Sequence, residues 1–324
     1  MADLALERIL LTGAAGFIGS HLADRLLRLG HVVLGVDNLS RGSLSNLASA
    51  QKHPHFEFVE ADLTDLNAYN GIFAGRALTM VWHMVANSDI GAGVADANVD
   101  YRDTFLTTFH TLQVMRAHHI PKLAFASTSA VYGVHEAPLR EDTGPLFPIS
   151  NYGAMKLASE AMISAAVESY LERAWIFRFP NVIGPRATHG IIFDLLTKLS
   201  KNPPDLEVLG DGSQQKPYLH VSELLDAMLF ITDTAKERLN WFNIGPPDEG
   251  TTVNQIAETV RSVAAPHLSI RYTGGSRGWV GDVPRFRYSI EKLANLGWRP
   301  ASTSAQAVER SVVEIHKEFQ ARCS

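Results

Sequence analysis

The sequence predicts an α/β fold, a doubly wound parallel sheet followed by a smaller α/β substrate-binding lobe. Three observations lead there. Short apolar runs alternate with helical periodicities through the first half of the chain. A glycine turn, Thr12-Gly13-Ala14-Ala15-Gly16-Phe17-Ile18-Gly19, joins the first apolar run to the first helical stretch. From about Pro180 the elements shorten, and prolines and glycines crowd together at Gly184-Pro185, Pro203-Pro204, Gly210-Asp211-Gly212 and Gly245-Pro246-Pro247.

The first run, Arg8-Ile9-Leu10-Leu11, reads as a buried strand. Phe17, Ile18, Leu22, Leu26 and Leu29 then recur at helical spacing up to Gly30, a helix stop. A strand, a tight glycine turn and a helix N-terminus together make a phosphate site, because the backbone approaches the anion closely and the first N–H groups point at it. Gly13, Gly16, Phe17, Ile18 and Gly19 are the candidate residues. A second strand, His31 to Asp37, ends in a carboxylate about twenty residues after the glycines. In a Rossmann dinucleotide fold that acid accepts hydrogen bonds from the adenosine ribose and disfavours a 2′-phosphate, so NAD is expected rather than NADP. Arg41 pulls the other way, since an arginine just past the strand can meet a 2′-phosphate; Asp37 is expected to dominate. Asn38 and Ser40 lie in the same loop.

Phe56 to Glu60 is the next strand, followed by Asp62-Leu63. Asp62 stands where an acid reaches the adenine amine, and capping the next helix is an equally good reading. Met80 to Val85 is another apolar strand, with His83 read as a satisfied core histidine. Val85-Ala86-Asn87 then supplies small residues where backbone lies beside the cofactor. Tyr101 to His119 has helical periodicity, and Lys122 to Ala126 is the next strand. Ligands are expected at the carboxyl ends of these strands. The domain reading is a dinucleotide domain over 1–180 and a lobe over 181–324. The boundary is interleaved, because a helix near 222–235 belongs with the first domain.

Composition narrows the function classes. A net charge of −5 with dispersed basic residues leaves no nucleic-acid footprint. The single cysteine, Cys323, excludes an internal disulfide and cysteine-based zinc spacing; none of the thirteen histidines falls in a His-Glu-x-x-His pattern, so no metal is expected. Met1 to Glu7 is acidic and short of apolar residues for a signal peptide, and no stretch approaches a membrane span, so the cytoplasm is the expected compartment.

Ser127-Thr128-Ser129 follows directly on a strand, at the edge where ligands collect. Further on, Tyr152-Gly153-Ala154-Met155-Lys156 opens a helix that runs to Tyr170. Tyr152 and Lys156 are i and i+4, on one helical face. A nearby ammonium favours the phenolate and lowers the tyrosine pKa from about 10. The phenol then serves as a base near neutral pH, with Thr128 as hydroxyl partner on the substrate oxygen. A solvated helix face is the plain alternative for this spacing, which the dinucleotide turn upstream outweighs.

Together with Asp37-Asn38-Leu39-Ser40, Ser127-Thr128-Ser129-Ala130-Val131-Tyr132-Gly133, Arg178-Phe179-Pro180-Asn181-Val182-Ile183-Gly184-Pro185 and Tyr218-Leu219-His220-Val221, these motifs resemble the extended short-chain dehydrogenase/reductases over nearly the whole chain. Within them the sequence is similar to the nucleotide-sugar epimerase/dehydratase family, most of all to its UDP-glucose 4-epimerase branch. The resemblance implies Tyr152 as catalytic base and acid, Lys156 on the nicotinamide ribose, and Thr128 completing the triad with Ser129 beside it. It implies Phe179 and Pro180 beside the nicotinamide, Asn181, Lys216, Tyr218 and Arg277 around the nucleotide diphosphate, and Asp282 near the uridine ribose. A homodimer packed through the helices at 101–119 and 152–170 is also implied, with Ala161, Ile163 and Val167 compatible.

The departures matter. The 4,6-dehydratases of the family carry Asp-Glu after the catalytic hydroxyl, where this chain has Ser129 and Ala130, so dehydration lacks its acid and base. Lys216 replaces an arginine and keeps only a point charge. Pro217 replaces a polar residue, and the Asn-Val-x-Gly-Thr helix start is degraded, with Thr104 or Asn98 in the asparagine place. The expected activity is NAD-dependent 4-epimerisation of a UDP-sugar. Its rivals are a decarboxylase, net oxidoreductase or dehydratase on a nucleotide sugar, and a non-catalytic NAD-binding regulator.

Overall fold

Strand and helix alternate as the periodicity requires. In the computed structural model, which describes residues 6–73, 75–135, 138–275 and 285–323, the first half runs β1 (Arg8–Thr12), α1 (Phe17–Arg28), β2 (Val32–Asp37), β3 (Phe56–Glu60), α2 (Leu66–Gly71), β4 (Met80–His83), α3 (Ile90–Ala95), α4 (Ala97–Asp100), α5 (Thr107–Ala117), β5 (Lys122–Thr128), α6 (Asn151–Ser169) and β6 (Arg173–Phe179). The second half adds β7 (Asn181–Ile183), α7 (Ile191–Leu199), β8 (Leu206–Val208), β9 (Gln215–Lys216), β10 (Tyr218–His220), α8 (Val221–Thr234), β11 (Leu239–Asn243), β12 (Thr251–Thr252), α9 (Val253–Ala264), β13 (Ile270–Tyr272), α10 (Glu291–Leu296) and α11 (Ser304–Cys323).

Seven strands form one sheet in the order β11-β6-β5-β4-β1-β2-β3, with parallel ladders from β3 through β2, β1 and β4 to β5. The chain therefore reverses its direction of travel across the sheet between β1 and β4, the switch point where such sheets bind ligands. Ile9 to Thr12 are buried without interruption, as a parallel strand covered on both faces must be. Around the sheet Leu10, Val36, Val81, Phe125, Ile163, Val167 and Ile176 pack into one core. Among the described residues no helix is long and apolar enough to cross a membrane.

Two compact units emerge. One comprises Met1–Val131, Pro148–Arg178 and Met228–Phe242; the other comprises Tyr132–Phe147, Phe179–Ala227 and Asn243–Ser324. A single cut at 180 misses Tyr132–Phe147, which belongs to the second unit for a local reason. The Tyr132 hydroxyl donates to Asn243 Oδ1 at 2.7 Å, and Asn243 Nδ2 donates to the Leu139 carbonyl at 3.0 Å. Only the part of α8 from Met228 onward falls in the first unit. The second unit has its own core, in which Leu195, Leu206, Tyr218, Ile256 and Val312 are buried, and Thr252 with Gln255 closes a capping box on α9.

The periodicity over 101–119 resolves into two parts. Tyr101–Leu106 is a π-helical segment that runs into α5. The threonines of this stretch turn a polar stripe into the core, and His83 answers it. Its Nδ1 lies 3.1 Å from Thr12 Oγ1 and 3.2 Å from Thr111 Oγ1, and its Nε2 lies 3.2 Å from Thr108 Oγ1. Burial, and secondarily the charge of Lys156, push His83 down to about 3, so the ring is neutral. It is a satisfied core histidine, as the sequence indicated.

Under α6 lies a buried ion pair. Arg178 donates through Nε and Nη2 to Glu160 at 3.0 and 2.6 Å, and Ser127 Oγ donates to the same carboxylate at 2.5 Å. Both charged side chains are more than nine-tenths buried. Replacing Glu160 by alanine removes the carboxylate that faces a buried guanidinium, and urea denaturation should show a loss of about 3–5 kcal/mol. A loss under about 1 kcal/mol would mean that the pair is not held as described.

Candidate active site

The glycine turn is shaped by contacts that only glycine permits. Gly13 has φ +67°, and a Cβ there would stand 2.9 Å from the Val85 nitrogen. At Gly19 a Cβ would come within 2.0 Å of the Gly13 carbonyl oxygen. This packing brings the start of α1 against the turn, and Gly16, its N-cap, offers no side-chain acceptor to the first N–H groups. The donors at this helix start thus suit an anion. Phe17 and Ile18, half-buried, follow in the first turn.

Asp37 ends β2 with both oxygens engaged: Oδ2 accepts the Ala15 N–H at 3.0 Å and Oδ1 the Leu39 N–H at 2.8 Å. Burial raises its pKa and these backbone donors lower it. The acid therefore pins the glycine turn to the end of β2. The Ala15 carbonyl accepts from Ser43 N at 3.0 Å and Asn46 Nδ2 at 2.9 Å, which ties the loop after β2 down beside the turn. Within that loop Asn38 Oδ1 accepts the Ser40 N–H at 3.1 Å. Arg41 Nη2 meets Asp89 Oδ2 at 3.1 Å, an exposed pair linking the loops after β2 and β4.

Asp62 does not cap α2. Its Oδ1 accepts from both the N–H and the hydroxyl of Thr64, and the cap is Asp65, which accepts from Asn67 N and Ala68 N. Leu63 is buried, its carbonyl 2.9 Å from His110 Nδ1. Val85 and Ala86, half-buried, follow β4, with the Val85 N–H 3.4 Å from Thr12 Oγ1. A glycine cradle that any Cβ would fill, an uncapped helix start and an acid at the end of β2 fit NAD.

Thr128 closes β5, and Tyr152 sits in the first turn of α6. Gly153 lets them meet: a Cβ there would lie 2.6 Å from the Ala130 carbonyl oxygen, so α6 packs directly on the turn Ser129–Val131. Ser150 caps the helix, accepting the Gly153 N–H at 3.1 Å. Tyr152 hydrogen-bonds Thr128, whose Oγ1 also accepts the Ala130 N–H at 3.1 Å. Burial pushes the Tyr152 phenol up to about 12, Thr128 pulls it down and Asp100 raises it, the opposite direction from the lowering expected of a nearby ammonium. The Lys156 ammonium turns instead to the Ala126 carbonyl at 2.5 Å and stands 4.5 Å from the Phe125 ring centroid. Burial brings it down to about 7, against the opposing charge of Glu160 one turn along. Glu160 was missed in the sequence, although its i+4 spacing from Lys156 was the available signal.

In the second unit, Asn181 on β7 pairs with Tyr218 on β10, so the parallel ladder brings these two together. Asn181 is exposed, whereas Tyr218 is buried in that unit's core and its N–H donates to Ser304 Oγ at 3.1 Å. Lys216 on β9 pairs with Thr251 on β12. Pro180 is buried near Gly245, where a Cβ would lie 3.1 Å from Pro180 Cγ; Phe179 is half-buried. Arg277 and Asp282 lie outside the described residues.

A dinucleotide cradle with a threonine–tyrosine pair at the edge of the same sheet defines a short-chain dehydrogenase/reductase-like enzyme. The chain belongs to the NAD dependent epimerase/dehydratase family, whose sequence model matches residues 9–245, and NAD is its cofactor. It is 31% identical over 319 residues to a UDP-glucose 4-epimerase of Mycolicibacterium smegmatis, covering 97% of this chain and all of that one. A crystal structure of a UDP-galactose 4-epimerase superposes with a TM-score of 0.85 at 35% identity, covering 96% of this chain and 99% of that one. A UDP-glucose 4-epimerase of Thermus thermophilus, solved in complex with NAD, gives 0.83 at 28% identity, covering 95% and 98%.

Because the Gly19 contact is backbone against backbone, Gly19→Ala should weaken NAD binding by about a hundredfold or more, read by titration calorimetry. Unchanged affinity would show that the turn adapts and the cradle is not rigid.

Proposed function

We infer that this chain is an NAD-dependent UDP-sugar 4-epimerase of the UDP-glucose/UDP-galactose type. The Thr128–Tyr152 pair carries the reading, held by Gly153 against the turn after β5 in the unit that contains the glycine cradle. Bound NAD supplies the oxidising and reducing equivalents exchanged at sugar C4. Tyr152 as phenolate takes the C4 hydroxyl proton and returns it once the 4-keto sugar has turned over in the pocket. Thr128 hydrogen-bonds the same sugar oxygen. Lys156 is the positive charge on this helix face that favours the phenolate, and in that role it exchanges the Ala126 carbonyl for the nicotinamide ribose. The cofactor loop, Gly13 to Gly19 with Asp37, Asn38, Ser40 and Arg41, orients the dinucleotide, and Asp62, Leu63, Val85 and Ala86 line its adenine and ribose side. Asn181, Lys216 and Tyr218, with Arg277 and Asp282 beyond the described residues, make the nucleotide diphosphate and uridine contacts.

Ser129 and Ala130 support epimerisation over dehydration, since neither side chain can act as the acid or base that removal of water needs. The proposed enzyme is a cytoplasmic homodimer joined through α5 and α6. Exposed Ala161 and Ala165 and half-buried Phe105 and Phe109 support that face. Ile163 and Val167, which the sequence also offered, pack in the core.

Purified protein should interconvert UDP-glucose and UDP-galactose without net NADH, followed by chromatography of the two nucleotide sugars. Tyr152→Phe should lower kcat by about a hundredfold to ten-thousandfold with little change in KM. Failure of the parent on every UDP-hexose offered would overturn the epimerase reading. Steady NADH build-up would point to a net oxidoreductase, and carbon dioxide release from a uronate to a decarboxylase.

A further inference from the structure

Asp100 is a buried acid that the reaction as described does not use. It ends α4, directly before the π-helical segment, and only 1% of it is accessible. Its Oδ1 accepts from Asn87 Nδ2 at 2.8 Å. Its Oδ2 is buried with no hydrogen-bond partner among the described residues and is turned toward Gly93, where a Cβ would stand 1.8 Å away. An unpartnered carboxylate oxygen in the interior is costly, so its position calls for a reason.

The surroundings supply one. Asn87 follows Val85-Ala86 and is itself buried: its N–H donates to Thr104 Oγ1 at 3.1 Å and its side chain spans Asp89 and Asp100. Gly93 in turn offers its carbonyl to Asn151 Nδ2 at 2.9 Å, and Asn151 is the residue before Tyr152. Both α3 and α4 pack on α6. A continuous set of contacts thus runs from the stretch beside the cofactor, through Asp100 and Gly93, to the helix turn that bears the phenol.

We propose that Asp100 is a positioning residue for Tyr152: pinned by Asn87 and seated against Gly93, whose carbonyl holds Asn151, it fixes the first turn of α6 and with it the phenol. The carboxylate charge opposes phenolate formation, which is the sense in which Asp100 acts on Tyr152. Burial, with Asp103 and Asp89 nearby, raises the Asp100 carboxyl itself, against the Asn87 hydrogen bond. Asp103 is held by Arg102 and Asp89 by Arg41, while Thr128 from β5 hydrogen-bonds the phenol and Lys156, one turn along α6, is turned to the Ala126 carbonyl. The arrangement keeps Tyr152 protonated until positive charge is brought to it, which restrains the base outside the productive complex.

The proposal rests on Tyr152 as the base, and its test reads the phenol directly. NAD-saturated protein is titrated by tyrosinate absorbance, with Tyr152→Phe subtracted to isolate the one phenol. In Asp100→Asn, which keeps the size and an acceptor for Asn87, the midpoint should fall by about half a pH unit or more, and the acid limb of kcat should move down with it at unchanged KM. Gly93→Ala, which must displace the carboxylate, should also move the midpoint and serves if Asp100→Asn does not fold. A general loss of activity with the midpoint in place would be merely structural and would overturn the proposal. Since no sugar is turned over in the titration, a shifted midpoint in a protein inactive on UDP-hexoses would reject the epimerase reading alone.

Discussion

The structure depends on backbone meeting backbone at Gly19 and Gly13. With no Cβ in the way, α1 starts directly on the end of β1, and the turn between them is held by the Asp37 carboxylate through the Ala15 N–H. Any larger residue would lift the helix from the turn and move the phosphate donors out of register with the sheet. The same carboxylate holds Leu39, and Ala15 in turn holds Ser43 and Asn46, so the loop after β2 is built outward from the glycines.

A second close approach works the same way on the far side of β4. Gly153 lets α6 press on the turn after Thr128, and that contact together with their hydrogen bond unites threonine and tyrosine. Beneath it Glu160, Arg178 and Ser127 form a charged cluster away from water, with Lys156 drawn toward the Ala126 carbonyl. Buried charges of this kind are costly if broken, and they fix how α6 lies on the sheet. Catalytic geometry here is a by-product of helix–sheet packing that tolerates little adjustment.

Electrostatics then sets the state of the phenol. Tyr152 is held high chiefly by burial, against the Thr128 hydrogen bond, so the proposed role as base calls for countercharge to favour the phenolate. The core histidine is subject to the same desolvation with the opposite sign: His83 stays neutral because charging it between Phe125 and the threonines would have no compensation.

Local sequence determined the strand–turn–helix opening, the acid at the end of β2, the Thr128 strand end and the Tyr152–Lys156 face, because each rests on residues adjacent in the chain or one helical turn apart. Periodicity also located β1 to β5 and α6, since a parallel strand buried on both faces is apolar throughout and a covered helix repeats its apolar face. The short helices α3 and α4 were not legible, and α2 was expected with Asp62 rather than Asp65 as its cap, for all three carry little apolar pattern and start from single aspartate caps, Asp65, Asp89 and Asp96. Nor was the direction of Lys156, the role of Arg41 as a partner of Asp89, or the placing of Tyr132–Phe147 with the second unit. Each of these is set by partners far away in sequence, and the tyrosine pKa follows burial that only the folded chain creates. The residue types needed for the chemistry are written locally; their charge states and partners belong to the tertiary structure, because desolvation and long-range contact have no local signature.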